Sequence, residues 1–130
     1  MANVIDVIRN ILPSTRTLDI SGESYGYIVS HGYYGEYNYG VNSTRTLILA
    51  NLSESRVEIT FEHFEIASQP PCGDYIEITK HPKICGASQP PPPFTIDLEK
   101  NERDIAFTFY TDGLHVRKGF WLLYKSKRLL

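Results

Sequence analysis

Hydrophobic and polar residues alternate along most of the chain in short runs. In the clearest run, Val57, Ile59 and Phe61 alternate with polar residues, which is the period of a strand with one buried face. The alternation then slips by one position, because Phe64 rather than His63 takes the next apolar place. Such a change predicts a β-bulge near the end of a long strand.

Similar runs recur along the chain, separated by turn residues at intervals of about a dozen. In the last run, Phe120, Leu122 and Tyr124 line one face and Trp121 and Leu123 line the other, so we expect this strand to lie in the centre of a sheet. The predicted strands are 17–21, 25–30, 44–49, 56–63, 74–79, 94–98, 104–111 and 118–125. Such a set closes most economically as two packed antiparallel sheets, so the pattern predicts an all-β sandwich.

The first twelve residues have a different pattern. Their apolar residues recur at helical spacing and are followed by a proline: Val4, Ile5, Ile8, Ile11, Leu12 and then Pro13. This predicts a short amphipathic helix that packs on the domain, forms part of a linker or faces a partner. We divide the chain into an N-terminal extension (1–16), a β domain (17–126) and a tail (127–130).

Composition excludes several classes of protein. A chain of 130 residues is one domain by length. Thirteen basic and fifteen acidic residues do not make the positive surface of a nucleic-acid-binding protein. No apolar run is long enough to span a bilayer. Because Asp6 interrupts the first apolar stretch, we expect no signal peptide there, so a secreted form would be processed or part of a longer protein.

Two features that could indicate catalysis lack the necessary context. Ser24 lies in a Gly-x-Ser-x-Gly pattern, but a nucleophile elbow requires a helix after the serine. Here the β-forming residues Tyr27, Ile28 and Val29 follow it. The four histidines also lack metal-ligand spacing. The sequence therefore predicts a protein that is not an enzyme.

Residues spread over most of the chain carry a family resemblance. In chain order they are Gly26–Ser30, Tyr33, Tyr37, Phe61, Phe64, Ile66, Cys72, Asp74–Ile76, Cys85–Gly86, Phe109–Asp112, Gly119–Phe120 and Tyr124. This ordered set resembles the CUB domain family, which implies an extracellular β-sandwich of jelly-roll type. The first cysteine pair of that family is absent, and Arg45 stands where the family often has Trp.

The resemblance also bears on the two cysteines. By count alone, Cys72 and Cys85 could be free buried thiols or a disulfide. Their spacing together with the resemblance favours a disulfide.

The resemblance further implies a calcium site. Many CUB domains hold one calcium ion between loops, and Tyr25, Asp74 and Asp112 match its ligand positions. A fourth position, usually Glu, holds Ala67, for which Glu65 is a candidate substitute. Calcium takes six to eight oxygen ligands. The alternative is that these loop carboxylates accept hydrogen bonds from backbone amides.

Other residues are candidates for contact and modification. Tyr34 and Tyr39 are additional to the aromatic residues of the family and lie in a Tyr- and Gly-rich stretch, a composition used by binding loops. We predict that they contact a partner together with Asp74. Asn42 and Asn51 begin glycosylation sequons.

The residues and the resemblance together predict an extracellular or ectodomain module, without catalysis, that binds another protein or a glycan through loops that include Asp112. Its partners would include other domains of a larger protein, but no nucleic acid. The alternative is a secreted structural or assembly subunit that forms complexes through the module and its N-terminal segment.

Overall fold

A computed structural model describes residues 3–6, 14–20, 24–30, 43–66, 72–86, 89–111 and 119–129. These residues form β-strands and turns, without a helix. The strands are β1 (Asn3–Asp6), β2 (Ser14–Asp19), β3 (Ser24–Val29), β4 (Ser43–Ala50), β5 (Ser55–Glu65), β6 (Tyr75–Ile78), β7 (Ile84–Cys85), β8 (Phe94–Asp97), β9 (Ile105–Thr111) and β10 (Gly119–Arg128). All eight predicted strands are present, and β1 and β7 are additional.

The strands form two five-stranded sheets. Sheet 1 has the order β1-β3-β10-β5-β8, and sheet 2 has the order β2-β4-β9-β6-β7. Most neighbouring strands are antiparallel, as expected, but β1 pairs with β3 and β2 pairs with β4 in parallel. The N-terminal stretch therefore supplies one edge strand to each sheet.

Strand β10 is the centre of sheet 1, as its two-sided apolar pattern predicts, and lies between β3 and β5. The predicted bulge is confirmed in β5. Trp121 lies opposite His63 while Leu122 lies opposite Phe61, so Glu62 is an extra residue on β5. The bulge explains how Phe61 and Phe64 both reach the buried face.

The core lies between the two sheets. Phe120 of β10 contacts Phe61 of β5, with ring centroids 5.8 Å apart, and Phe109 of sheet 2, at 5.2 Å. Ile28, Leu47 and other inward residues of both sheets are fully buried. This packing confirms the two-sheet sandwich.

The helix predicted for residues 1–12 is wrong for residues 3–6, which form β1; the other residues of that stretch lie outside the described part of the chain. Val4 and Ile5 are β-branched, which favours strands over helices. The edge of β3 also offers unpaired backbone groups, and β1 pairs with it from Asn3↔Gly26 to Asp6↔Val29. Forming the first turn of a short helix is unfavourable, so a helix here would need tertiary contacts as stabilising as the pairing of β1 with β3.

Edge strand β8 is attached to β5 by a two-point ion pair. Arg56 Nε donates to Asp97 Oδ1 at 2.8 Å, and Arg56 Nη2 donates to Asp97 Oδ2 at 3.0 Å. The hydrogen bond from Arg56 holds the pKa of Asp97 below its ordinary value. The pair joins residues that lie directly opposite each other where β8 pairs with β5.

Candidate binding surface at the loop end

One end of the sandwich gathers the longer connections of the chain, and we call it the loop end. Strands β3, β5 and β9 finish there, and β4, β6 and β10 begin there. Both sheets share this end because the chain passes between them from Thr111 to Gly119 and from Glu65 to Tyr75. Residues on adjoining strands are therefore brought together here.

Polar side chains are buried at the loop end. Ser30, Asp74 and Thr111 are each fully buried, and buried polar groups in native proteins are normally hydrogen-bonded. Ser30 N–H donates to the Phe120 carbonyl oxygen at 3.0 Å, and Phe120 N–H donates to Ser30 Oγ at 3.0 Å. These two bonds extend the pairing of β3 and β10 to the loop end.

Asp74 immediately precedes β6, and the residues around it hold its backbone in place. Its carbonyl oxygen accepts a hydrogen bond from Gly86 N–H at 3.0 Å. Cys72 and Cys85 form the predicted disulfide, with their Cα atoms 5.3 Å apart. Asp74 has the same parity as the buried residues Ile76 and Ile78, so it faces the space between the sheets. The disulfide thus ties the segment that carries Asp74 to β7.

The other residues predicted to bind calcium are not all brought to Asp74. Tyr25 lies opposite Lys125, whereas the loop end of β10 is Gly119; six strand residues separate these positions by about 20 Å. Glu65 reaches the loop end, but it alternates with the buried Phe64 and Ile66 and so faces the outside of sheet 1.

Asp112 and Ala67 lie outside the described residues. Within the described ranges, no three His, Cys, Asp or Glu side chains come together as a metal-binding group. Of the predicted calcium ligands that the structure describes, Asp74 alone therefore combines the loop end with an inward position.

Arg45 is a feature of the loop end that the sequence did not assign to a site. It lies opposite Phe109 on an inward-facing row of sheet 2 and is only 4% exposed. Its Nε and Nη1 atoms have no hydrogen-bond partner among the described residues, and burial lowers its pKa. The sequence contains one indication of this burial: Arg45 stands two positions before Leu47 and four before Leu49 in the same alternation, on the face that is otherwise apolar. The backbone of Arg45 lies two strands from that of Ile76, about 10 Å away. A positive charge on this residue opposes the binding of a cation nearby.

The remaining candidates lie elsewhere. Tyr34, Tyr39 and Asn42 are outside the described residues. Asn51 is exposed just after β4, at the end opposite the loop end, and its Oδ1 accepts a hydrogen bond from Arg103 Nη2 at 3.2 Å. A glycan at Asn51, which remains a prediction, would leave the loop end uncovered.

Ser24 begins strand β3. The chain after it is extended, so the sharp strand-to-helix turn of a nucleophile elbow is not formed. No helix that could cross a membrane occurs in the ranges that the structure describes.

Comparison with known proteins identifies relatives by sequence. The family model for the CUB domain matches residues 19–124. The chain is 30% identical over 111 residues to Tolloid-like protein 1 of Mus musculus and 28% identical over 110 residues to Tolloid-like protein 1 of Homo sapiens. Each match covers 78% of this chain and 10% of the relative. The chain thus spans about a tenth of the length of these relatives.

Solved structures share the fold. The extracellular region of zebrafish Gpr126/Adgrg6 matches with a TM-score of 0.65 at 21% identity, over 86% of this chain and 15% of that chain. The CUB1-EGF-CUB2 domains of rat MASP-1 match with a TM-score of 0.63 at 24% identity, over 85% and 42%. A crystal structure of the MASP-1 CUB2 domain bound to Ca²⁺ matches with a TM-score of 0.58 at 24% identity, over 86% and 96%.

The solved structures agree with the two-sheet sandwich, and the family model agrees with the ordered set of residues in the sequence. CUB domains are generally non-catalytic modules, typically of extracellular proteins, that bind other proteins. Because the family model covers most of the sequence, from residue 19 to residue 124, the chain belongs to the CUB domain family.

Proposed function

We propose that this chain is an extracellular module that binds another protein through its loop end, with Asp74 as a buried anchor and Asp112 as the carboxylate that meets the partner. The observation that carries the proposal is the position of Asp74, which is fully buried yet next to the loops. The Cys72–Cys85 disulfide and the Gly86 hydrogen bond fix its backbone. A preorganised segment loses little entropy on binding, which favours affinity.

Strand register supports the place of Asp112 in this proposal. Asp112 follows Thr111, the last residue of β9. Tyr110 of β9 lies opposite Tyr75 of β6, so β9 ends at the end of sheet 2 where the segment that carries Asp74 enters β6, which supports a position of Asp112 near Asp74. A carboxylate there would form charge-assisted hydrogen bonds with a Lys or Arg of the partner.

A calcium ion would assist this contact if it were coordinated by Asp74, by Asp112 and by backbone oxygens of the loops. A bound calcium ion would supply positive charge that orders the two loops. The carboxyl oxygens of Asp74 are of the ligand type that calcium takes. Ala67, the position of Tyr25 and the charge of Arg45 all reduce the affinity, so we expect a Kd of about 10⁻³ M, the weak end of the range for extracellular modules.

Thermal unfolding with and without calcium tests this assistance. At 10 mM calcium a Kd of about 1 mM would stabilise the wild type by about 1.4 kcal/mol, measurable as a rise of several degrees in Tm. Asp112→Ala should abolish the rise. Asp104→Ala is the matched control, because Asp104 is exposed and precedes β9 at the opposite end. A rise that persists in Asp112→Ala would contradict calcium binding at this site.

Partner binding is tested on an array of secreted proteins and receptor ectodomains. We expect the wild type and Asp104→Ala to bind the same partner, and Asp112→Ala to bind it at least tenfold more weakly. Binding should weaken between 50 and 500 mM salt, because the contact is between charges. Equal binding by Asp112→Ala and wild type, without salt dependence, would refute the loop end as the binding surface.

A further inference from the structure

A groove lies on the outer face of sheet 2, away from the loop end. Its volume is about 330 Å³, and it is lined by residues 77–81 of β6 and the turn after it, and by Ala106 and Thr108 of β9. This is near the lower end of the range of about 300–1,000 Å³ for small-molecule sites. The groove therefore has room for one or two sugar rings.

Small side chains create the groove. Ala106 lies opposite Ile48 of β4, so its methyl group leaves a depression beside a longer side chain. Thr108 lies between Thr46 and Glu77 on the neighbouring strands. The Oγ1 atoms of Thr46 and Thr108 are 3.1 Å apart and share a hydrogen bond. The floor is thus a row of short, mostly hydroxylated side chains.

Side-chain contacts support the turn at one end of the groove. Lys80 Nζ donates to Asp97 O and to Glu102 Oε1, both at 2.8 Å. The His81 ring stacks on Phe94 with centroids 3.9 Å apart. These contacts hold the turn in shape before any ligand arrives, which lowers the entropic cost of binding.

Two aromatic rings lie beyond the opposite end. Tyr75 and Tyr110 are stacked with centroids 5.0 Å apart, two residues along the strands from Glu77 and Thr108. Lys83 Nζ lies 4.2 Å from the centre of the Tyr75 ring. The groove is therefore bounded by the turn and by this tyrosine pair.

The polar groups of the groove include both donors and acceptors of hydrogen bonds. His81 Nδ1 lies 2.7 Å from the Pro82 carbonyl oxygen; because a carbonyl only accepts, Nδ1 donates this bond. Thr79 Oγ1 accepts from Ala106 N–H at 2.9 Å and keeps its own O–H to donate. Glu77 is exposed and forms no ion pair within the described residues. A ligand with hydroxyl groups, which both donate and accept, would complement this set.

Strand pairing argues against a peptide ligand. β6 pairs with β9 from Tyr75 to Ile78 and with β7 at Tyr75 and Ile76. Of the four residues of β6, Glu77 and Ile78 alone lie beyond β7, and an edge of two residues is too short for a peptide to add as a strand. Charge argues against an anion, because Glu77 is negative and Lys80 is already paired with Glu102. We propose that this groove binds one or two sugar residues of a neutral glycan, at a site separate from the loop end.

The test is an NMR titration of the intact chain with neutral disaccharides, namely chitobiose, mannobiose, N-acetyllactosamine and maltose, each to 20 mM. At least one sugar should shift the amide signals of residues 77–79 and 106–108. Ala106→Leu fills the groove and Glu77→Gln removes its carboxylate, so each should weaken binding at least tenfold. Glu58→Gln, an exposed glutamate on sheet 1, is the matched control and should bind like wild type.

Two further measurements complete the design. A sulfated form of the sugar that binds should be at least tenfold weaker, and Asp112→Ala should bind the sugar like wild type, which separates this site from the proposed function. No shift of residues 77–79 with any of the four sugars would overturn the proposal. So would equal binding by Glu77→Gln and wild type, or saturation of the groove by an extended peptide.

Discussion

Phe120 joins the two sheets at the loop end, so its truncation tests the packing on which the site depends. The side chain is 1% exposed and its ring contacts Phe109 of sheet 2 and Phe61 of sheet 1. Phe120→Ala removes a buried ring and leaves a cavity between the sheets. We expect it to lower the free energy of unfolding by about 3–5 kcal/mol. The two edge-to-face ring contacts fall within this range and do not add to it.

Urea unfolding followed by tryptophan fluorescence measures this loss. It would be between about a fifth and the whole of the stability of about 5–15 kcal/mol that is usual for a small domain. Phe120→Leu keeps most of the apolar volume and should lose at most about 1.5 kcal/mol. Tyr25→Ala is the surface control, since Tyr25 is 42% exposed, and it should stay within about 0.5 kcal/mol of wild type.

The reasoning would be refuted if Phe120→Ala lost less than about 1.5 kcal/mol with an unchanged urea m-value. That result would mean that the ring does not bridge the sheets or that the cavity collapses fully. A changed m-value would instead indicate an altered denatured state, and hydrogen exchange would then be used to measure the loss in the native state.

Three further predictions concern other parts of the structure. Replacing Cys72 and Cys85 together by Ser should lower the free energy of unfolding by about 3 kcal/mol in urea, and a loss under about 1 kcal/mol would contradict a structural role for the disulfide. Arg56 lowers the pKa of Asp97 from 3.8 in the folded protein, so the contribution of this carboxylate to stability is complete above about pH 4 and is lost as the pH falls through the lowered pKa. Unfolding measured from pH 6 to 2.5 should show that Asp97→Asn removes this pH-dependent part of the stability, and identical pH profiles of the variant and wild type would contradict it. Arg45→Met replaces a buried guanidinium by an apolar side chain and should raise stability by about 1–2 kcal/mol; lower stability would show that Arg45 has an acceptor in the native chain.

Much of the fold follows from the sequence because alternation is a local signal. The slip between Phe61 and Phe64 predicts the bulge, and the two-sided apolar pattern around Trp121 predicts the central place of β10. Both depend on neighbouring residues of one strand. The N-terminal helix failed because the apolar spacing of Val4 and Ile5 is compatible with either structure, and the edge of β3, distant in sequence, decides between them.

The site was less predictable because it depends on register between distant strands. The family resemblance groups Tyr25 with Asp74 as calcium ligands. The pairing of Tyr25 with Lys125 puts Tyr25 at the end of sheet 1 that lies opposite the loop end. The groove on sheet 2 joins Glu77 and Thr108, which are far apart in sequence and belong to no motif. Sequence reasoning thus predicted the disulfide correctly, and the role of Asp74 stays a prediction. The complete set of groups at each surface requires the pairing of the strands.

The position of the bound partner tests the central claim most directly. Hydrogen–deuterium exchange of the chain would be compared with and without the protein recovered from the array. We expect the partner to protect amides at the loop end, in residues 74–76 and 109–111, which belong to β6 and β9. Protection confined to the opposite end, in residues 49–52 and 78–81, would contradict binding through the loop end.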